Sequence, residues 1–433
     1  MQWKNPLAKN SFYDLVVYYL LFLVLITMGC SFRYGNSVSL ILLVGIPLVS
    51  PRNTTYLKNA FRSVHFLACL ALVLISLAGL LYTNFPQDNW TRATREAGIL
   101  AAPFLFSTYA SLNDTKRKFL IKWFGIALAL VSIISLGYAS WQYGQFHDSS
   151  VFFYHDLLKL FSQHAVHFSF FLFICIVCWM EHDIATSKSK TEKYLLILLT
   201  AFFSFMMFML SSKTLIVITV CYFIYFLGRQ FFSKNSMSRR WMIGALFVAL
   251  TSIVVFTNNP IKKRFLDVSD RRTMLFEQDH FNQGIYFNGV QFRLLLWRFS
   301  YQILNKHHAW VFGVSPGDGQ HELNQRMIDS NMYQGDGDFN KGYLGYNCHN
   351  QYVQTTLQSG IIGLVFFLIA IGSLFVMSVR QRNSSAAIIV CGLIIFCFTE
   401  AILEAQYGLV IFNFVPLLLL ASEKKKSGKN LLV

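Results

Sequence analysis

Apolar residues come in long blocks separated by short polar stretches. The blocks run over about 12–28, 37–50, 64–82, 98–111, 119–142, 164–181, 194–210, 213–228, 240–257, 352–379, 385–401 and 403–421. Most are near the ~20 residues that a helix needs to cross a hydrocarbon core. The stretch from 194 to 228 is nearly continuous and breaks only at Ser211-Ser212-Lys213, which predicts two crossings joined by a tight turn. Only helices satisfy their own backbone groups in lipid without closing a barrel. The pattern therefore predicts an all-α polytopic membrane protein of about twelve transmembrane helices. The first block, Phe12 to Met28, lacks a small-residue cleavage site and reads as a retained span.

One polar segment is too long for a connector. It divides the chain into spans over 1–257, an outer loop domain over 258–351, spans over 352–421 and a basic tail over 422–433. A segment of that size is expected to carry function. It holds a helix candidate at 291–305, with Arg293, Trp297 and Arg298, and a glycine-rich turn, Phe312-Gly313-Val314-Ser315-Pro316-Gly317-Asp318-Gly319. A loop with Asp336 and Asp338 follows. The segment ends at Tyr346-Asn347-Cys348-His349-Asn350-Gln351, where a long apolar helix begins.

Composition agrees with the block pattern: 55% hydrophobic, 13% charged, mean hydropathy +0.45. Soluble proteins carry about twice that charge. The net charge of +16 does not read as a nucleic-acid signal, because most Lys and Arg lie in short loops between spans. They mark alternate loops as cytoplasmic, with both termini inside and the 258–351 segment outside. The lysine-rich tail suits a surface of anionic membrane lipid. Most of the eight cysteines fall inside apolar blocks and read as packing residues. Cys30 and Cys348 lie near one membrane face, which leaves a disulfide between them open.

Outside the cytoplasm there is no ATP, so a reaction there needs a pre-activated substrate, and diphosphate-linked lipids are the membrane-borne kind. Such a substrate calls for cations beside the outer leaflet and a base for the incoming hydroxyl. His349 is the candidate base. With Asn347 or Asn350 capping the helix that follows, the positive helix end favours neutral imidazole, the form that accepts a proton. Lys213 stands between two spans at their outer ends, with Ser211 and Ser212 as further donors; a snorkelling lysine is the plainer reading. Arg293 offers a planar fork to phosphate. Arg298, five residues on, points roughly 140° away on a helix and belongs to another surface. Asn350, His164, His167, Glu404 and Arg298 are possible substrate contacts. Glu400 and Glu404 are a turn apart near the outer end of the last hairpin and suit orienting a hydroxyl, pairing with arginine or capping. The His164–His167 pair has no evident third ligand, so no metal and no cofactor are expected.

His349-Asn350-Gln351-Tyr352 followed by Gly360-Ile361-Ile362-Gly363 resembles the signature of the O-antigen ligase and O-antigen polymerase superfamily. Arg293 to Trp297, the turn at 312–319 and Ser211-Ser212-Lys213 resemble further motifs of that family, with Lys213 where the family usually has arginine. The resemblance implies a GT-C-like glycosyltransferase without a metal, acting at the periplasmic face of the bacterial inner membrane. It implies a polyprenyl-diphosphate-linked glycan as donor and a lipid A–core hydroxyl as acceptor. His349 would be the base, and Lys213 and Arg293, with Ser211 and Ser212, would hold the diphosphate. A polymerase or a protein O-oligosaccharyltransferase would share these motifs. Chain length and a single late outer loop lean towards a ligase. A transporter of lipid-linked glycans would need internal repeats and broken helix pairs, and neither is evident.

Overall fold

A computed structural model describes residues 12–49, 53–108, 112–187, 189–232, 278–337 and 342–421. The expected span at 240–257, the tail at 422–433, Asp338 and the basic residues Lys4, Lys9 and Arg52 lie outside them. The described residues are helical, without strands. Among them five helices are long and apolar enough to cross a membrane, and shorter apolar helices accompany them. The chain is a polytopic membrane protein.

In chain order the helices are α1 (Phe12–Gly29), α2 (Arg33–Val49), α3 (Val64–Ala78), α4 (Pro86–Glu96), α5 (Ala101–Thr108), α6 (Asp114–Phe146), α7 (Ala165–Cys178), α8 (Lys190–Met209) and α9 (Lys213–Phe232). After the long polar segment begins come α10 (Gly289–Lys306), α11 (Gly319–Asp329), α12 (Gln351–Arg380) and α13 (Ser384–Phe396). A last helical run, α14, covers Gln406–Leu420.

The centre of the bundle is α7, buried on every face from Ala165 to Cys178. Its apolar residues go all round, which a helix shielded from solvent and lipid on all sides allows. It packs against α6, α8, α9 and α13. The 33 residues of α6 reach about 50 Å at 1.5 Å per residue, more than a hydrocarbon core requires.

Two local features differ from the sequence expectation. The outer loop after α3 contains a helix, α4, started by Pro86 at its first turn with Asp88 beside it and ended with Arg95 in its last turn. Those charges match the helix dipole at both ends. The block at 385–401 is shorter as a helix than expected. It stops at Phe396, and residues 397–405 form a turn that carries Glu400 and Glu404.

The outer segment has its own apolar core. Phe281, Phe292, Leu296, Phe299, Leu323 and Met327 form it, with Cys348 and Leu357 at its base. Asn288 and Gln291 close a capping box at the start of α10. Leu357 lies on α12, so this core is continuous with the helix that follows His349.

α12 is broken at Gly360, which has φ +65° and ψ −166°. The backbone of residues 310–315 fills the break. Val314 and Ser315 N–H groups donate to the carbonyls of Leu357 (2.9 Å) and Gln358 (3.1 Å), and Ile361 N–H donates to the Trp310 carbonyl (2.8 Å). A Cβ at Gly360 would overlap Val311, and one at Gly313 (φ +75°) would overlap the Gln358–Ser359 backbone. The glycine-rich turn and the Gly360 motif are two sides of one seam. Asp318 fastens the turn to the loop after α3, accepting from Thr83 Oγ1 (2.5 Å) and Asn84 N–H (3.0 Å).

Candidate active site

His349 sits in a turn held from several directions. Its backbone is left-handed (φ +45°), and its N–H donates to Asn347 Oδ1 at 2.9 Å. Asn350 is the N-cap of α12, accepting from the Tyr352 and Val353 N–H groups. Of the two asparagines considered for this cap, Asn350 provides it. Cys348 N–H donates to Gln354 Oε1 (2.9 Å), and the Cys348 carbonyl accepts from Trp297 Nε1 (2.9 Å). The Cys348 thiol is buried against Ser300, and burial pushes it up to about 12, so it is an inert packing group. Cys30 is exposed and both cysteines are free, so the disulfide left open from sequence is not formed.

The start of α12 also grips the turn after α13. Gln351 N–H donates to the Cys397 carbonyl (2.8 Å), and Gln351 Oε1 accepts from Leu403 N–H (2.8 Å). These bonds carry Glu400 to His349. Glu400 Oε2 lies 3.5 Å from His349 Nδ1, and Oε1 takes Arg293 Nη2 at 3.1 Å. Burial opposes charge on Glu400. The hydrogen bond and charge of His349, followed by the charge of Arg293, outweigh it and hold the carboxyl well below the usual range.

Arg293 and Trp297 are one helical turn apart on α10 and face the same way. One reaches Glu400 and the other the Cys348 carbonyl. The spacing of these two residues is thus a clamp on the His349 turn. Arg293 Nε is buried without a hydrogen-bond partner among the described residues. Arg298 lies on another side of α10 and bonds the Gln278 carbonyl (2.8 Å) and Asp279 (2.5 Å), so the structure does not bring it to His349.

Glu404 belongs to a different cluster. Arg92 Nη1 is 2.8 Å from its Oε2, and Gln354 and Gln358 donate to its Oε1 at 3.1 and 2.8 Å. Its carboxylate fastens α4 to α12, which is the arginine pairing considered for it from sequence. Gln354 bonds both Glu404 and Cys348 N–H, and so links this cluster to the His349 turn.

Ser211 and Ser212 are buried in the turn between α8 and α9, Ser211 with a left-handed backbone. Lys213 starts α9. Ile218, farther along α9, lies against Gly392 of α13, which puts Lys213 at the same end of this helix pair as Cys397 and Glu400. His164 is the N-cap residue of α7, and His167 is buried one turn later. Among the described residues no three such side chains are arranged to hold a metal ion.

Sequence reasoning singled out His349, Arg293 and Asn350. It placed Glu400 only loosely, named Trp297 without giving it a partner, and assigned no role to Arg92 or Gln354. The signal for Trp297 was its i,i+4 spacing from Arg293. For Arg92 it was a basic residue in an outer loop, where the positive-inside rule does not call for one.

Compared with curated proteins, the chain matches none. Residues 197–368 match the family model described as O-Antigen ligase, a stretch that includes Lys213, Arg293, His349, Gly360 and Gly363. That match covers less than half of the chain and agrees with the resemblance to the O-antigen ligase and polymerase superfamily.

Proposed function

We propose that this protein is an O-antigen ligase. It transfers a glycan from a polyprenyl-diphosphate carrier to a sugar hydroxyl of lipid A–core, at the periplasmic face of the inner membrane. The observation that carries this reading is the Glu400 carboxylate, shared between His349 and Arg293. It joins a base to a cation where a helix enters the apolar bundle.

In this reading Glu400 accepts the Nδ1 proton of His349, which fixes the tautomer and leaves Nε2 for the acceptor hydroxyl. Nε2 takes the hydroxyl proton as the oxygen attacks the anomeric carbon. The bond from that carbon to the diphosphate oxygen breaks, and the lipid diphosphate leaves with the electron pair. One displacement inverts the anomeric centre. Glu400 then faces an imidazolium and stabilises it. Arg293 spends one nitrogen on Glu400 and keeps donors for the diphosphate. Lys213 adds a point charge at the same end of the bundle, with Ser211 and Ser212 shaping its turn. These groups supply the electrostatic stabilisation of the leaving group, so the reaction is metal-independent. The segment 258–351 acts as the periplasmic domain that carries the base, and both chain termini are cytoplasmic.

The test is the lipopolysaccharide banding pattern of a deletion strain complemented with wild type or His349→Ala. Loss of all O-antigen attachment, with polymerised glycan accumulating on the lipid carrier, supports a ligase. A core bearing a single repeat unit assigns a polymerase instead. An unchanged pattern overturns both.

A further inference from the structure

Gln163 and His164 precede the central helix α7, at the end of the bundle where Phe396 closes α13. Three imidazoles form a row there. The ring centroids of His155 and His164 are 4.5 Å apart, those of His164 and His167 4.9 Å, and His167 lies 6.1 Å from Phe396. Phe396 ends α13, one turn before Glu400. The charges of Glu400 and His349 both reach His164, so the row adjoins the catalytic turn.

This end holds unused hydrogen-bonding capacity. Gln163 is only 4% exposed, yet neither Nε2 nor Oε1 has a partner among the described residues. His164 Nδ1 is likewise buried and unpartnered. Buried polar groups are normally satisfied, and an unpaired carboxamide is a cost to the fold. A fold keeps such a group where something else completes its bonds.

The chemistry narrows what that is. A carboxamide offers two donors and an acceptor, and a neutral imidazole offers one of each. Vicinal hydroxyls of a sugar ring both donate and accept, and so match this alternation. Burial, then the neighbouring His167, push the His164 imidazole down to about 3, so it carries no charge to attract phosphate. The Glu400 carboxylate nearby also repels an anion. The imidazoles are not arranged as metal ligands.

We propose that Gln163, His164 and His167 form a subsite that hydrogen-bonds the hydroxyls of a pyranose ring beside His349. The proposal rests on the ligase reading for the identity of the sugar, which belongs either to the lipid-linked donor or to the lipid A–core acceptor.

The test uses the full-length protein in nanodiscs and two volume-conserving variants, Gln163→Leu and His164→Phe. Binding is measured for undecaprenyl diphosphate with and without a single N-acetylglucosamine, and for lipid A with and without its core. Loss of one buried hydrogen-bonding group is expected to weaken the sugar-bearing probe about tenfold and leave its sugar-free partner unchanged. The unliganded Gln163→Leu protein is expected to melt at the same temperature as wild type or higher. A loss confined to the undecaprenyl pair assigns the donor sugar, and one confined to the lipid A pair assigns the acceptor. Unchanged affinities in both variants overturn the proposal, as does a lower melting temperature with affinities intact, which marks a structural role. Wild type that binds none of the probes overturns it too. If sugar-dependent binding is lost as expected but wild type transfers no glycan, the ligase reading fails and the subsite stands.

Discussion

Glu400 Oε2 lies 3.5 Å from His349 Nδ1, across a gap in sequence that spans the whole of α12 and α13. The pair depends on charge at Glu400 rather than on shape. Glu400→Gln keeps the volume and removes the carboxylate that orients and stabilises the imidazole. Glycan transfer by membranes is expected to fall by about 10²–10⁴-fold, with the protein present at wild-type levels. Transfer within a few-fold of wild type would remove Glu400 from the mechanism.

The same pair has a pH signature in stability. Glu400 is held below its ordinary 4.5, so its contribution is complete above that pH and is lost as the pH falls through the folded value. Melting temperatures of wild type and Glu400→Gln should therefore converge as the pH drops below about 4.5.

Glu96 gives the opposite slope. Burial is the main cause that pushes its carboxyl up to about 7; the Ser76 hydroxyl bond works against the rise and the Glu404 charge adds to it. The folded chain keeps a proton that the unfolded chain releases near 4.5. Stability from this group is full below 4.5 and falls as the pH rises towards 7. Glu96→Gln is neutral at every pH and should flatten the decline, with a melting temperature higher than wild type by about 3 °C near pH 7.5 and no gain near pH 4.5. A parallel pH profile for the two proteins would refute the shift.

Gln354 holds the Cys348 N–H and Glu404 at once. Gln354→Leu leaves that N–H unpaired in a buried turn. We expect kcat to fall about tenfold while both KM values stay within twofold, because the variant disturbs the aim of His349 and leaves the substrate surfaces intact. A change in KM alone would place Gln354 in contact with substrate.

Gly360→Ala puts a Cβ into the Val311 backbone at a left-handed position. The strain alone costs about 1–3 kcal/mol and the overlap adds to it. Thermal unfolding in detergent should show a large loss, whereas Gly372→Ala, with open space around the new Cβ, should show none.

Much of this arrangement was legible before the structure. The block pattern predicted helices wherever the described residues allow comparison, and the α10 expectation at 291–305 lies within the observed Gly289–Lys306. Asn347 or Asn350 was expected to cap the apolar helix, and Asn350 does. Other parts were hidden for physical reasons. Glu400 meets His349 only because Gln351 ties two distant turns together, and no local pattern encodes that tie. Residues 352–379 read as one unbroken span, since a glycine within an apolar run gives no sign of its φ. Gln163 carried no signal in the sequence, because burial of its carboxamide depends on the helices packed around α7.

The break at Gly360 makes α12 two short rods instead of one long one. The lower rod lies among the apolar helices, packed against α3 and α13. The upper rod follows the His349 turn, and residues 310–315 bond it at Leu357 and Gln358 as they bond the lower rod at Ile361 and Ile362. The seam is a joint made of backbone alone: one short segment bonds both rods, so the turn at 312–319 fixes the angle at which they meet.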